Sequence, residues 1–480
     1  MTVRICLLAL SILLLHCAAP PEAEEPEKTN VIILLVDDWG WSDAGVLGSD
    51  LYKTPNIDTL AGDGMRFTTS YSACTVCSPT RASMMTGQYP GRTNVTDWIR
   101  GHQHPNAKLI PPDWTMKLED RHTSLAEAMR DGGYRTAMVG KWHLEPTGEA
   151  DEDDYIPEKH GFEINVAGNE WGAPPSYHYP YRREGSDRTL GPMPAGGEEG
   201  EYLTDRLTDE AMKIVEGWKD EPFFLYFPYY TVHTPIEATA EDAAPFVAAV
   251  QDGMKHTDTE YAGMLAALDR SVGRLRAKLE ELGIADNTAI ILTGDNGGLD
   301  RHGSGHPTEN KPIRDGKGSA YEGGVRVPSI IYWPGVTRAG ATSDEPVITV
   351  DYYPTALEMA GVAGDANHVV DGVSLAPLLR DPSASLGRST LYWHYPHYHN
   401  MGSTPHSAIR DGDWRLVEFY EDGRAELYNL AEDISEENDL AGEMPEKVEE
   451  LTAKLNAWRE EVGAQAPLPN PNYDPEKAER

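Results

Sequence analysis

Four short apolar runs in the chain each lead into polar residues. They cover residues 31–36, 136–140, 223–227 and 289–293. Such runs are typical of strands buried on both faces of a parallel sheet, with functional residues at their carboxyl ends. Between the runs, apolar residues recur with the 3.6-residue period of helices, at residues 125–130, 207–218 and 261–282. This alternation predicts a doubly wound α/β domain at residues 29–379, with a large mixed sheet flanked by helices.

The pattern changes to shorter strands after residue 380. Strand-like runs separated by turns lie at residues 390–394, 407–410, 415–419 and 426–430. A helical repeat follows, and its apolar positions, three to four residues apart, are Val448, Leu451, Leu455, Trp458 and Val462. We therefore expect residues 380–480 to form a smaller C-terminal α+β domain, an antiparallel sheet with one helix packed against it.

The first 19 residues are typical of an export signal. Arg4 precedes an apolar stretch at residues 5–15, which is too short to span a membrane as a stable helix. Residues 20–28 are acidic and rich in proline, as in a flexible tether. We therefore expect an exported protein that is periplasmic, secreted or held at the cell surface as a lipoprotein.

The end of this leader leaves two export routes open. Residues 14–17, with the sequence Leu-Leu-His-Cys, resemble a bacterial lipoprotein cleavage box. In such a box Cys17 would carry a lipid anchor to a bacterial membrane, but His16 stands where a small residue is usual. Lipid anchoring and simple secretion are therefore both compatible with the leader.

Acidic residues strongly outnumber basic ones. The chain has 78 Asp and Glu residues against 41 Lys and Arg residues, which gives a formal net charge of -37. Binding of nucleic acid phosphates needs clustered Lys and Arg, so this balance argues against a nucleic acid partner. An anionic small substrate would also be repelled on average, and its site must be a local basic pocket.

Two of the four cysteines, Cys74 and Cys77, lie outside the leader. A C-x-x-C pair suggests a redox dithiol or half of a zinc site. No second pair exists to complete a four-thiolate zinc site, although a Cys/His site remains open. A redox dithiol is expected at a helix N-terminus, whereas we place this pair in a loop rich in Thr, Ser and Tyr. Neither alternative requires the neighbouring Pro79 and Arg81.

Oxygen-bearing side chains follow two of the predicted strands. Asp37 and Asp38 follow the first strand, and Asp295 and Asn296 follow the last. Only oxygen donors are present, which favours a hard cation such as calcium or magnesium. The Asp37–Asp38 pair alone could equally be a solvated turn or a helix cap. The carboxylate of Asp295 at a second strand end favours the cation, because neighbouring carboxylates repel each other unless a cation neutralises them.

Basic residues occupy comparable positions. Each one lies at or near a predicted strand end or in a glycine-rich loop, and they are Arg81, Lys141, His143, His233 and Lys317. Taken singly, these residues could be ordinary solvated or capping side chains. Taken together, they supply the local positive pocket that an acidic protein needs to bind an anion.

Six motifs resemble, in their order along the chain, those of the type I sulfatases, the formylglycine-dependent and arylsulfatase-like members of the alkaline phosphatase superfamily. They are Asp37-Asp38-Trp39-Gly40, Cys77-Ser78-Pro79-Thr80-Arg81, Gly140-Lys141-Trp142-His143, Val232-His233-Thr234-Pro235, Gly294-Asp295-Asn296-Gly297, and Lys317 ahead of Glu322-Gly323-Gly324. The resemblance covers nearly the whole chain after the leader.

This resemblance implies a modified residue and a metal. Cys77 would be converted to formylglycine, or 3-oxoalanine, by a formylglycine-generating enzyme. The hydrate of that aldehyde would attack sulfur and form a covalent enzyme sulfate. One calcium ion would be held by Asp37, Asp38, Asp295 and Asn296 together with the modified Cys77.

It also implies roles for the remaining residues. Arg81 and Lys141 would steady the hydrate, and Asp295 would accept the attacking proton. Lys317 and His233 would bind the sulfate and assist the leaving oxygen. His143 would help to break down the sulfated intermediate.

The expected function is hydrolysis of a sulfate ester on a carbohydrate, either a polysaccharide or an oligosaccharide. Aromatic loops at residues 171–177 and 394–400 could border a sugar site, with His397 and His399 as substrate contacts. The same loops could simply pack against the fold, and the histidines could bind a second metal. Two further functions stay open: a phosphonate monoester or phosphodiester hydrolase of the same superfamily, and a lipoprotein that binds sulfated glycans without catalysis.

Overall fold

The structure is a computed structural model that describes residues 28–146, 155–301 and 305–477. The predicted export signal at residues 1–19, with Cys17, and nearly all of the predicted tether lie outside these ranges. Export and lipid anchoring therefore stay predictions. Within the described ranges, none of the helices combines the length and the apolar character that a membrane crossing requires.

Eight strands form one mixed sheet in the order β10-β2-β9-β8-β1-β7-β5-β6. The bounds of these strands are β1 (Asn30–Val36), β2 (Met65–Phe67), β5 (Arg135–Val139), β6 (Ile164–Val166), β7 (Phe223–Pro228), β8 (Thr288–Gly294), β9 (Ser329–Tyr332) and β10 (Ala341–Ser343). β1 is central and runs parallel to β7 and β8 on its two sides, while β9 is antiparallel to β8 and β2. The predicted fold class is confirmed, and the four apolar runs are β1, β5, β7 and β8.

The smaller sheets complete the strand set of the described residues. Their strands are β3 (Ser70–Tyr71), β4 (Leu109–Ile110), β11 (Val347–Ile348), β12 (Thr390–Tyr395), β13 (His406–Asp411), β14 (Trp414–Phe419), β15 (Ala425–Asn429) and β16 (Leu468–Pro469). β12 to β15 form an antiparallel sheet, and β16 near the C-terminus pairs with β4 in the first part of the chain.

The described residues form eleven α-helices, most of which lie on the two faces of the large sheet, while the last one packs on the C-terminal sheet. They are α1 (Pro55–Asp63), α2 (Cys77–Thr86), α3 (Pro90–Thr93), α4 (Leu125–Asp131), α5 (Leu203–Gly217), α6 (Ala240–Val247), α7 (Thr259–Glu281), α8 (Glu322–Val325), α9 (Tyr352–Ala360), α10 (Ala376–Arg380) and α11 (Pro445–Val462). Side chains of β1 alternate between the two layers: Ile32 and Leu34 pack with α1, α5, α6 and α7, whereas Val31 and Ile33 pack with α2, α4 and α9. Burial on both faces explains why β1 is continuously apolar.

The C-terminal sheet packs against helix α11 as predicted. Leu451, Leu455 and Trp458 of α11 share one hydrophobic cluster with Leu416 and Leu427 of the sheet. Burying each leucine contributes about 2 kcal/mol, so this contact can hold the helix in place. Helix α10 belongs to the cluster of the large sheet and contains the expected domain boundary, between residues 379 and 380.

Candidate active site

The carboxyl ends of neighbouring central strands meet at one edge of the large sheet. β8, β1, β7 and β5 lie side by side and parallel, so the residues that follow them come together. Those residues are Asp37 and Asp38 after β1, Lys141 and His143 after β5, His233 after β7, and Asp295 and Asn296 after β8. All are buried except His233, which is partly exposed.

Two of these residues have left-handed backbone conformations. Asp38 has a φ of 58° and His143 a φ of 60°. This region is uncommon for residues other than glycine and persists where surrounding contacts hold it. The backbone N–H of Asp38 donates to Asp295 Oδ1 at 3.2 Å, and that of His143 donates to the Asn169 carbonyl at 3.0 Å. These contacts hold both turns against the active site.

Cys77 is the first residue of helix α2, so the loop expected from the sequence is wrong at this position. All ten residues of α2 are buried, and a helix packed on every side shows no amphipathic period along its sequence. Pro79 is tolerated because it lies in the first turn, where its missing N–H has no helical partner. The loop argument against a dithiol therefore fails.

The electrostatic environment argues against a reactive dithiol instead. Cys74 and Cys77 are both free and buried. Burial raises the pKa of the Cys74 thiol to about 12 and also raises that of Cys77, although Lys141 opposes the second shift. Reactive dithiols need a lowered pKa because the thiolate is the nucleophile. Unmodified Cys77 is thus a poor nucleophile here.

Carboxylates and cations alternate around Cys77. Lys141 Nζ lies 2.7 Å from Asp37 Oδ2, and Lys317 Nζ lies 2.6 Å from Asp38 Oδ1. Arg81 donates from Nε and Nη2 to Asp295 Oδ2, at 3.0 and 2.8 Å. Burial alone would raise the pKa of Asp38, but the charge of Lys317 and the hydrogen bond from Asn296 act in the opposite direction, and the pKa is lowered. The predicted basic pocket is therefore interleaved with the predicted metal ligands.

Three buried oxygens in this cluster have no hydrogen-bond donor. They are Asp37 Oδ1, Asp38 Oδ2 and Asn296 Oδ1. Buried polar atoms are almost always paired, and three unpaired acceptors on neighbouring strand ends are suited to a bound cation. Among the described residues, Asp37 and Asp38 with His233 form the group able to hold a metal, with ligand atoms within 4.8 Å of one another. Carboxylate and amide oxygens fit calcium or magnesium.

Burial and neighbouring charge give the same indication. Burial, followed by the charge of Asp295, raises the pKa of Asp37 to about 8 despite the nearby Lys141. A cation bound between these side chains would relieve both effects.

His143 is placed to exchange a proton with residue 77. Its Nδ1 lies 3.5 Å from Cys77 Sγ, while its Nε2 contacts the Ile99 carbonyl. A carbonyl can only accept, so Nε2 carries the hydrogen and Nδ1 is free to accept a proton. Burial, reinforced by Lys141, lowers the pKa of His143 well below its ordinary value. The imidazole is therefore neutral and can act as a base.

His233 faces Asp38, with Nε2 3.7 Å from Asp38 Oδ2. Burial, followed by the charge of Lys317, lowers its pKa well below the ordinary value. A neutral His233 and a charged Lys317 thus face the same carboxylate.

The structure brings together all ten predicted catalytic and metal-binding residues, but separates His397 from them. The His397 ring is buried, with Nε2 2.8 Å from Thr96 Oγ1, and packs on Trp114. His399 lies nearer, because its ring contacts Gly318, the residue after Lys317. The contact between substrate and His397 is not supported by this geometry, and that of His399 stays a prediction.

Three residues that support the cluster were not identified from the sequence. The Asn169 carbonyl holds the backbone of His143, the Thr75 carbonyl accepts from the N–H of Gly318 at 3.0 Å, and Arg415 donates to the Ala320 carbonyl at 2.8 Å. Each acts on a segment distant in sequence. No local motif marks such contacts, so only the fold reveals them.

Comparison with known families agrees with this geometry. Residues 29–362 match the family model described as Sulfatase, and residues 316–463 match the one described as N-sulphoglucosamine sulphohydrolase, C-terminal. A sulfatase from Formosa agariphila is 32% identical over 95% of this chain and 93% of its own length. The N-acetylgalactosamine-6-sulfatase of Canis lupus familiaris is 32% identical over 77% of this chain and 69% of its own length.

The fold also matches a solved structure. The crystal structure of Ps i-CgsB superposes with a TM-score of 0.74 and 29% identity, covering 93% of this chain and 95% of that chain. Ps i-CgsB has also been crystallised in complex with k-i-k-neocarrahexaose. The members of the matched family are sulfuric ester hydrolases. The chain therefore belongs to the formylglycine-type sulfatase family, within the alkaline phosphatase superfamily.

Proposed function

We propose that this protein removes sulfate from a sulfated carbohydrate, using a formylglycine made from Cys77 and one calcium ion. The observation that carries the proposal is the group of three donorless oxygens, from Asp37, Asp38 and Asn296, beside Cys77 and its ring of cations. A cation satisfies the oxygens, and the surrounding Lys and Arg side chains suit an anionic substrate.

The calcium would be held by the side-chain oxygens of Asp37, Asp38, Asp295 and Asn296. When bound, it would polarise a sulfate oxygen and neutralise the neighbouring carboxylates. Zinc is less suitable, because oxygen atoms outnumber the single imidazole of His233. Magnesium fits the same oxygen donors, so measuring the metal content of the purified protein would distinguish calcium from magnesium.

The modified residue 77 would present hydroxyl groups of an aldehyde hydrate as the nucleophile. The residues around it have separable tasks. Lys141 lies within salt-bridge distance of Asp37 and Arg81 within that of Asp295, so both cations are held beside residue 77. His143 Nδ1 can take a proton from a hydroxyl at residue 77.

Lys317 and His233 are suited to the sulfate side of the reaction. Their side chains converge on Asp38, at 2.6 and 3.7 Å, and both are partly exposed. The Lys317 and His233 side chains are 10% and 16% exposed, whereas the asparagine and carboxylate side chains of the cluster are fully buried, so an incoming ester would meet these two groups first. Lys317 would bind sulfate oxygens, and a proton from this pair would reach the leaving sugar oxygen.

The carbohydrate substrate is supported by relatives. N-acetylgalactosamine-6-sulfatase acts on a sulfated sugar by its name, and Ps i-CgsB binds a neocarrahexaose. A phosphonate monoester hydrolase of Agrobacterium radiobacter shares the fold, with a TM-score of 0.65, but at 22% identity. Turnover of matched sulfate and phosphate esters of one alcohol separates the two activities, and we expect the sulfate ester to be preferred.

The central test is Cys77→Ala, which cannot be oxidised to an aldehyde. We expect turnover to fall by at least about 10³-fold, as when a nucleophile is removed, with an unchanged melting temperature. Mass spectrometry of the peptide containing residue 77 should show formylglycine in the active wild-type protein.

Cys74→Ala is the matched control, because Cys74 is equally buried and close in sequence but lies outside the proposed chemistry. It should retain activity. Full activity of Cys77→Ala, or an active wild-type protein with an unmodified Cys77, would contradict the mechanism.

We also propose that the protein is exported, as its leader predicts. Cell fractionation with and without residues 1–19, and mass spectrometry for a lipid on Cys17, would distinguish a periplasmic, a secreted and a lipid-anchored protein. Formylglycine would be installed by a formylglycine-generating enzyme of the host. Retention of the full-length protein in the cytoplasm would contradict export.

A further inference from the structure

A cationic group that the proposed mechanism does not use lies beside His143. We call it the arginine–tryptophan group, and it consists of Arg100, Trp171 and Arg188. The Arg100 guanidinium lies 5.1 Å from the centre of the Trp171 ring, and that of Arg188 lies 5.8 Å from it. Both arginines are exposed, and Trp171 is half-buried. Two guanidinium groups therefore share a single indole at the protein surface.

Hydrogen bonds of Asn169 place this group next to the active site. The Asn169 carbonyl accepts from the backbone N–H of His143 at 3.0 Å, while its side-chain oxygen accepts from the N–H of Trp171 at 3.1 Å. Its amide nitrogen donates to the carbonyl of Thr189, the residue after Arg188, at 3.0 Å. One asparagine thus ties the catalytic histidine to both parts of the loop.

Arg100 reaches the same place from another segment. It directly follows Ile99, whose carbonyl contacts the His143 ring. A side chain added to Gly172, the residue after Trp171, would collide with that same ring. The arginine–tryptophan group therefore borders the active site on the His143 side.

The two arginines are not neutralised within the described chain. Neither makes an ion pair with a described carboxylate, although the sequence contains 78 acidic residues. Arg183, in the same loop as Arg188, is paired with Glu237 instead. A guanidinium that stacks on an indole keeps its N–H groups free at the edge, where they fit the oxygens of a planar or tetrahedral anion.

We infer that the arginine–tryptophan group is a subsite for a second sulfate, on the sugar unit next to the one whose ester is hydrolysed. The two arginines bind the sulfate oxygens, and the indole supports the sugar ring. The preferred substrate is then an oligosaccharide that carries sulfate on adjacent units. This inference rests on the proposed function and specifies its substrate class.

The test compares two forms of one oligosaccharide, sulfated either on the terminal unit only or on the terminal and adjacent units. A panel of galactose- and N-acetylgalactosamine-based pairs is screened with wild-type protein that carries the modified residue 77, and a pair that is hydrolysed is used. We expect the double variant Arg100→Ala/Arg188→Ala to raise KM for the doubly sulfated form about tenfold or more, because charge-assisted hydrogen bonds are lost. Its kcat, and both constants for the singly sulfated form, should stay within about twofold, and the wild-type preference should weaken in about 0.5 M salt.

Arg182→Ala is the matched control, since Arg182 is an exposed arginine of the same loop without a contact to Trp171 in the described chain. It should leave both KM values unchanged. Equal effects of the double variant on both forms, or no effect on either, would overturn the subsite while leaving the sulfatase proposal intact. If modified wild-type protein hydrolyses no sulfate ester in the panel, the proposed function fails, and the subsite fails with it.

Discussion

Two clusters of buried charged side chains are connected by the segment from Lys317 to Glu322. They differ in their unpaired polar atoms, which are all acceptors in one cluster and include donors in the other. The active-site cluster comprises Asp37, Asp38, Asp295, Arg81, Lys141 and Lys317. The interface cluster comprises Glu322, Arg326, Arg415 and Glu436, and it joins helix α8 to the C-terminal domain. Arg415 lies 2.9 Å from Glu322 Oε1, and the Glu322 N–H donates to Glu436 Oε2 at 2.7 Å.

The unpaired atoms distinguish the two clusters. Around the active-site cluster they are three oxygens, from Asp37, Asp38 and Asn296. In the interface cluster three atoms lack a hydrogen-bond partner, the donors Arg326 Nε and Arg415 Nε and the acceptor Glu436 Oε1, and the last two face each other at 3.2 Å. A donor that faces an acceptor is satisfied by a small adjustment, whereas three acceptors cannot pair with one another and suit the cation proposed above. Burial of charge is therefore a weak sign of function, and uncompensated acceptors of one kind are a stronger one.

The largest expected effect comes from Asp37→Asn. The amide keeps the size of the side chain and an oxygen for Lys141, but removes the charge that would bind calcium. We expect kcat to fall by about 10³-fold, corresponding to about 4 kcal/mol, because the cation supplies several kcal/mol of charge stabilisation. We expect calcium to raise the melting temperature of the wild-type protein but not that of this variant.

The matched control is Glu436→Gln in the interface cluster. Burial raises the pKa of Glu436 to about 8 even though Arg415 opposes the shift, so the carboxyl is mainly protonated at pH 7. Glutamine should then preserve kcat and the response to calcium. An unchanged calcium response in Asp37→Asn would remove the difference between the clusters.

A smaller effect on activity, with a larger one on stability, is expected for Arg415→Met. Removing this buried cation leaves Glu322 without its main partner, and breaking a buried ion pair costs about 3–5 kcal/mol. Arg415 also holds the Ala320 carbonyl, three residues from Lys317, so kcat should fall moderately. Chemical unfolding and kinetics would measure both.

The control for this prediction tests whether Arg415 and Glu436 stabilise each other. In the double variant Arg415→Met/Glu436→Gln, part of the lost stability should return, because fewer acceptors remain unpaired. Additive losses in the double variant would show that the two residues do not stabilise each other.

The effect that is smallest at neutral pH concerns the acid stability of the C-terminal domain. Burial lowers the pKa of His394 to about 3, with Arg459 and His406 contributing in the same direction and the Gln465 carbonyl opposing. In the unfolded chain His394 takes up a proton near pH 6.5, so the stability that it confers above that pH is lost between pH 6.5 and about 3. His394→Gln should reduce the slope of unfolding free energy against pH by about 1.4 kcal/mol per unit in this window. An unchanged slope would assign acid sensitivity to other groups.

The sequence predicted the centre of the fold better than its edges. β1, β5, β7 and β8 were found to within one or two residues, because strands buried on both faces leave continuous apolar runs. β2, β9 and β10 were not identified, since three or four residues cannot show a period. The start of helix α2 at Cys77 is not recognisable from the sequence, which favours a loop for the Cys74–Cys77 pair, because burial on all sides removes the amphipathic pattern of the helix.

The candidate site divides in the same way. Its ten charged or polar members were identified because each follows a strand or a recognisable motif. Asn169, Arg415 and the arginine–tryptophan group act through contacts between distant segments, which no single sequence displays. His397 was chosen from a run of histidines and aromatics, but that run leaves strand β12 and turns the ring towards Thr96.

The hydrogen bond from Arg415 to the Ala320 carbonyl, near Lys317, can form only late in synthesis of the chain. Cys77 is translated early, whereas Arg415 belongs to strand β14, near the end of the chain. The lysine segment gains its support only once the ribosome has released almost the whole polypeptide. Cys77 is 3% exposed in the folded protein, so the modification proposed above would have to precede this late closure. On the proposed function, completion of the C-terminal domain would then mark the end of the period in which residue 77 can be modified.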